Sequence, residues 1–253
     1  QVFQEVALQN LPVVFCLGRA GLVGGDGAVH HGFLDIAYLR GLPGMVLMAP
    51  ADEPELAAAL RFAVSQPTAC AIRYPREKVP VEPLPDCPPF ELGSARTVRS
   101  GADATILAYG VMTASALDAA ELLAADGLDV AVVNARFAKP LDRRMVRDAL
   151  ADGRPTLTVE DHALQGGFGS AVLEAAQEMG LACTNLARSG MPDRFIEHGS
   201  RGGQLAEVGL DAAGIAAALQ ALIERSDRAG TSRKRRGASA QPAAGNDTVL
   251  TRS

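Results

Sequence analysis

The chain has 253 residues, 48% of them hydrophobic and 21% charged, with a formal net charge of -5 at pH 7. That balance excludes a disordered or fibrous chain, and the negative charge gives no general attraction to nucleic acid or an anionic membrane, so any anionic ligand has to be held by local arginines. The four cysteines, Cys16, Cys70, Cys87 and Cys183, show no CxxC pairing. No leader and no apolar run of membrane-spanning length is legible, and the expectation is a cytoplasmic protein of two modest domains.

The start, "QVFQEVALQ", reads as the continuation of a helix, and with no initial Met the chain reads as part of a longer protein. Uniformly apolar runs at Pro12 to Leu17, Met45 to Pro50 and Ala69 to Pro75 predict strands buried on both faces. Between the last two, Asp52 is placed to cap a helix with Pro54 in its first turn and Leu56, Leu60 and Val64 on one face, which makes a βαβ unit. The segment "VPVEPLPDCPP" carries five prolines and predicts an extended linker.

A second α/β series follows. Strands are predicted at Ala104 to Gly110, Leu128 to Ala135, Pro155 to Asp161 and Leu181 to Ala187, alternating with helices closed by Gly127, Gly153 and Gly180. A last helix places Ile215, Leu219, Leu222 and Ile223 on one face. After Ser226 the apolar period stops and disorder is expected; the "RKRR" cluster there is assigned no function.

The stretch "GRAGLVGGDGAVHHG" holds six glycines and lies just beyond the first predicted strand. Ligands of parallel sheets bind outside the carboxyl ends of strands, so Arg19 and, from "AIRYPRE", Arg73 and Arg76 could converge on a phosphate; surface arginines without a ligand are the alternative. Asp26 precedes a glycine and suits a turn, or could accept from substrate hydroxyls. The adjacent His30 and His31 point in different directions on any regular element, which disfavours a shared metal and leaves a proton-transfer role or a structural one. "QGGFGS" lacks a full phosphate-loop pattern and suits close backbone packing at a helix start, while Glu160, Asp161 and His162 are read as a polar interface.

Together with "RFAKPLD", "TVED", "GGFGSAV" and "GMPDRFIEHG", these motifs closely resemble the 1-deoxy-D-xylulose-5-phosphate synthases, a transketolase-like family of thiamine-diphosphate enzymes. The resemblance covers roughly Gln1 to Arg225. It implies an α/β fold: the latter part of a transketolase-type pyrimidine-binding domain at 1–78, a Pro-rich linker at 79–92, a transketolase C-terminal domain with a mainly parallel sheet at 93–226, and a disordered tail at 227–253. It further implies that Arg19 and Arg76 bind the sugar phosphate, that Asp26 contacts polar groups of the substrate, and that His30 faces the reacting centre. His31 and Arg73 are left structural. Gly18 and Val29 depart from the family pattern, which has Asp and Thr there.

For a complete enzyme, the resemblance implies condensation of pyruvate with D-glyceraldehyde 3-phosphate and loss of carbon dioxide, with thiamine diphosphate and Mg2+ as cofactors. The product would feed isoprenoid, thiamine and pyridoxal synthesis, and the enzyme would be a homodimer. The resemblance does not extend to the family's N-terminal domain with its magnesium motif or to the segment bearing its activating glutamate, so the isolated chain is expected to be inactive. Two other readings stand beside it: a separate transketolase-like subunit, comparable to the beta-type chain of 2-oxo acid dehydrogenases, and a non-catalytic anion-binding or assembly module.

Overall fold

The computed structural model describes residues 1–78, 84 and 86–238, with side chains described as far as 228. A short π-helical segment at Val2–Ala7 leads into β1 (Val14–Leu17), and the first sheet continues with β2 (Val46–Met48) and β3 (Cys70–Arg73). All three strands are parallel, with β3 in the middle. Between them lie α1 (Asp35–Leu39) and α2 (Glu53–Val64). Asp52 caps α2 as its sequence position predicts, its Oδ1 accepting from the Glu55 amide at 2.9 Å.

The second sheet has the order β4 (Arg96–Arg99), β6 (Val130–Asn134), β5 (Ala104–Ala108), β8 (Thr156–Ala163), β9 (Leu186–Met191). Only β4 runs antiparallel to its neighbour. The helices α3 (Met112–Ala125), α4 (Arg143–Leu150), α5 (Phe168–Glu178), α6 (Arg201–Glu207) and α7 (Ala212–Ala238) complete it. Gly127, Gly153 and Gly180 all adopt the left-handed backbone expected where a helix stops.

Alternation along the strands decides which layer covers which face. Ile106, Ala108, Val130, Val132, Leu157 and Val159 form one core with α3 and α7. Leu107 and Tyr109, on the opposite face, pack with Phe168 and Val172 of α5 and with Leu47, Ala49, Ala69 and Ala71 of the first sheet. The first sheet is therefore covered by α2 on one side and by the second α/β unit on the other.

Four features differ from the sequence reading. Strand β9 begins at Leu186, later than the predicted Leu181, because the apolar run "LAC" packs at the margin of the core and the ladder starts only beyond it. The last helix runs to Ala238 and does not end at Ser226, and residues 239–253 of the expected tail lie outside the described residues. One stretch, Arg201–Arg228, has the length and composition of a membrane-spanning helix, contrary to the expectation of no such run, yet Ile215, Leu219 and Leu222 at its heart are packed in the core.

The fourth difference is β7 (Phe137–Lys139), which belongs by sequence to the second unit but pairs antiparallel with β2, at the edge of the first sheet. The predicted linker lies partly outside the described residues. Its described part docks: the Leu84 amide donates to Asp52 Oδ2 at 2.8 Å, Phe90 is buried beside Phe62 and Phe137, and Arg136 donates to the carbonyls of Pro88 and Pro89.

Candidate functional site

The segment Gly18 to Gly32 leaves the carboxyl end of β1 and crosses the end of β3, where the Ala20 amide donates to the Tyr74 carbonyl at 3.0 Å. Backbone bridges from Ala20 and Gly21 to Gly32 close it into a loop. Two of its glycines are dictated by space: a Cβ on Gly21 would meet Asp161 Oδ2 at 2.1 Å, and one on Gly32 would meet the Arg19 carbonyl at 2.4 Å.

Arg19, Asp26 and Arg76 come together at the mouth of this loop. Arg76 Nη1 lies 2.5 Å from Asp26 Oδ2, and Arg19 Nε lies 3.9 Å from the same oxygen. Both arginine side chains remain more than half exposed, at 56% and 58%, so their other donors are open to a ligand. Arg19 itself holds a left-handed backbone, φ 63°, an uncommon conformation for a residue with a side chain.

His30 stands beside them. Its Nδ1 is 3.0 Å from the Asp26 carbonyl, which can only accept, so Nδ1 donates and a neutral ring leaves Nε2 as a free acceptor toward solvent. His31 is used up structurally: Nδ1 accepts from the Val23 amide and Nε2 donates to the Ile196 carbonyl, both at 3.2 Å. A Cβ at Gly18 would meet nothing closer than the Tyr74 ring at 3.6 Å, so packing does not impose the departure from Asp.

Arg73 points away from this group, into the junction of the two units. It donates to Asp35 at 2.8 Å, to Asp161 at 2.6 Å and to the Gly32 carbonyl at 3.2 Å, and lies over the Tyr109 ring. Burial opposes its charge, but Asp161 and Asp35 outweigh it and hold the guanidinium firmly protonated. Glu160, Asp161 and His162 are fully buried at this junction. His162 Nε2 accepts from the Ile36 amide at 3.1 Å, while burial and then Arg73 push the ring's pKa down and keep it neutral.

The glycine-rich start of α5 is packed against a carboxyl group of the chain itself. Glu160 accepts from the Phe168 amide at 2.6 Å and the Gly169 amide at 2.8 Å, and a Cβ on Gly167 would meet its Oε2 at 2.2 Å. The helix N-terminus is thus occupied by a side chain, as the close-packing reading anticipated.

The sequence reading missed the residues that hold the loop from the far end of the chain. Arg201 Nε donates to the Leu22 carbonyl at 3.1 Å, and Gln204 bonds to both the amide and the carbonyl of Gly24. They sit about 180 residues from their targets and carry no local signal. Among the described residues, no group of three or more His, Cys, Asp or Glu is placed to hold a metal ion. The donor set at the site is two guanidiniums, one carboxylate and one imidazole, which suits an anionic, hydroxylated ligand but does not by itself make a metal-diphosphate site.

Two family models match the chain: the transketolase pyrimidine-binding domain over residues 1–82 and the transketolase C-terminal domain over 93–215. A solved split-gene transketolase, described as an inactive beta4 tetramer, is 31% identical with a TM-score of 0.80, over 89% of this chain and 71% of that one. The chain belongs to the transketolase family. Among curated relatives it is 48% identical to 1-deoxy-D-xylulose-5-phosphate synthase 1 of Geobacter sulfurreducens, over 88% of this chain and 35% of the relative. It is also 48% identical, with the same two coverages, to the 1-deoxy-D-xylulose-5-phosphate synthase of Thermus thermophilus. The chain therefore spans about a third of the length of these relatives. A transketolase variant from Pichia stipitis, 22% identical with a TM-score of 0.67, shares the fold.

Proposed function

We propose that this chain forms the phosphate-binding wall of a 1-deoxy-D-xylulose-5-phosphate synthase, a transferase that joins pyruvate to D-glyceraldehyde 3-phosphate. Residues 1–78 serve as the pyrimidine-domain portion and 93–226 as the C-terminal domain. Arg19 and Arg76 take the aldehyde's phosphate, Asp26 accepts from its hydroxyls, and His30 exchanges a proton at the reacting carbonyl through Nε2. The family implies thiamine diphosphate, with Mg2+, as the group that would supply carbanion stabilisation; the described residues do not make its ligand set. A homodimeric, cytoplasmic enzyme fits this reading, and the four free cysteines suit a reducing compartment.

The observation that carries the reading is the convergence of two guanidiniums from two strand ends on Asp26 Oδ2. That oxygen marks where an oxyanion meets both arginines. A phosphate gripped there, remote from the carbonyl, converts binding energy into orientation. In the complete protein, Arg19→Ala or Arg76→Ala is expected to raise the KM for the aldehyde about tenfold or more, with a smaller effect on kcat; an unchanged KM removes the phosphate role. For the chain alone, titration with thiamine diphosphate and Mg2+ is expected to show no tight binding and no turnover. Robust decarboxylation of pyruvate would overturn that expectation.

A second reading, a separate transketolase-like subunit, is favoured by the split-gene transketolase, most of whose chain this one matches. An in-frame upstream coding region bearing a Gly-Asp-Gly motif decides for the first reading, and its absence for the second.

A further inference from the structure

Gln204, on α6, is 2% exposed and satisfies every part of its amide on backbone. Oε1 accepts from the Gly24 amide at 3.0 Å; Nε2 donates to the Gly24 carbonyl at 3.1 Å and to the Glu197 carbonyl at 2.8 Å. Because an amide only donates and a carbonyl only accepts, this orientation of the side chain is fixed by its partners. Gly24, at φ 75°, opens the tight turn Gly24–Asp26 whose last residue is the carboxylate between the two arginines. One turn of α6 earlier, Arg201 holds the Leu22 carbonyl at 3.1 Å, and His31 connects Val23 to Ile196. Three successive loop residues are thus tied, directly or through His31, to the segment 196–204.

We propose that Gln204 is a positioning residue for the anion site: by gripping both backbone groups of Gly24 it sets the turn that presents Asp26 to Arg19 and Arg76, without touching the ligand itself. The identity of that ligand, an aldose phosphate, rests on the reading above, whereas the grip on the loop does not. A buried amide of this kind couples the C-terminal unit to the loop through hydrogen bonds that cost free energy when left unmade, so the turn is held in one conformation before a ligand arrives.

The test uses Gln204→Met, which nearly conserves volume while removing the hydrogen bonds. Amide exchange followed by NMR is expected to show Gly24 and its loop neighbours exchanging about tenfold faster or more, with amides of the β5–β8 ladder unchanged. Titration with D-glyceraldehyde 3-phosphate is expected to show about fivefold weaker binding. Gln204→Glu, which keeps the acceptor for the Gly24 amide but sets a buried oxygen against the Gly24 and Glu197 carbonyls, is expected to speed loop exchange at least as much as Gln204→Met. Unchanged loop exchange in Gln204→Met, or exchange accelerated equally through the whole sheet, overturns the positioning role. If the wild-type chain binds no aldehyde phosphate, the functional reading fails, and Gly24 exchange still decides the role of Gln204.

Discussion

Arg76 and Asp26, 50 positions apart in the chain, meet in a 2.5 Å ion pair at the rim of the glycine loop. Toward inorganic phosphate, which lacks the carbinol hydroxyls that Asp26 would hold in an aldose phosphate, the carboxylate only competes for the guanidinium, and the pair is exposed enough for solvent and salt to screen it. Asp26→Asn is therefore expected to tighten binding of inorganic phosphate about two- to fivefold at low ionic strength, a gain that fades as salt rises. An NMR titration at two salt concentrations measures it. Weaker phosphate binding in the variant would mean that Asp26 orients Arg76 more than it competes with the ligand.

Glu55 ties the first unit to the second. Fully buried on α2, it receives Arg136 Nε at 2.9 Å, Arg96 Nη1 at 3.1 Å and the Asn134 amide at 2.8 Å. Removing the acid leaves the buried Arg136 guanidinium without the carboxylate that faces it, so Glu55→Ala is expected to cost about 3–5 kcal/mol. Urea unfolding reads this directly, and a loss below about 1 kcal/mol would show that water or another group compensates.

Glu160 and His162 give stability a pH dependence of opposite sign in two windows. Burial raises Glu160 to about 8, against the pull of the Gly169 and Phe168 amides and Arg73. The native state then holds a proton that the unfolded chain has released, and stability falls as pH rises from about 4.5 to 8. His162 has its pKa lowered, so below its ordinary value of 6.5 the unfolded chain binds the extra proton, and stability rises with pH there. Of these two groups, only Glu160 acts from about pH 6.5 to 8, where thermal stability is expected to decline. Glu160→Gln is expected to lower stability, by turning an NH2 group toward one of the two amides, and to flatten that decline. A decline that persists in the variant would assign it to another group.

Gly18 and Gly21, in the same loop, are expected to respond oppositely to alanine. Gly18 has no left-handed backbone and no neighbour within 3.6 Å of a Cβ, so Gly18→Ala should stabilise by about 0.4–1 kcal/mol through the unfolded chain. Gly21 sits at φ 72° with Asp161 in the way, and Gly21→Ala should cost about 1–3 kcal/mol. Paired melting curves test both signs at once.

Much of the fold was legible in the sequence because its signals are local. Apolar runs marked β1, β2, β3, β5, β6 and β8, and Asp52 and the closing glycines marked helix ends. What stayed hidden depends on distant partners. "RTVR" is too polar to announce β4, which needs only an edge position beside β6, and "FAK" is too short to announce β7. In the site, arginines following strand ends were readable from the topology rule, and the structure brings Arg19 and Arg76 to one carboxylate. Arg73 shares the same local signal but turns inward, because two aspartates from different elements wait there. Gln204 was not readable, since Gly202 and Gly203 mask the short helix that carries it.

The pairing of β7 with β2 bears on how the polypeptide matures. The first sheet borrows its last strand from beyond the proline-rich connection, so during synthesis it stays one strand short until Lys139 has left the ribosome. Until then Leu47 and Met48 lie at an open edge of the kind that recruits strands from other molecules. The two units are therefore separable as names but not as folding events: the earlier one waits for the later, and cutting the chain between them would leave both halves unfinished.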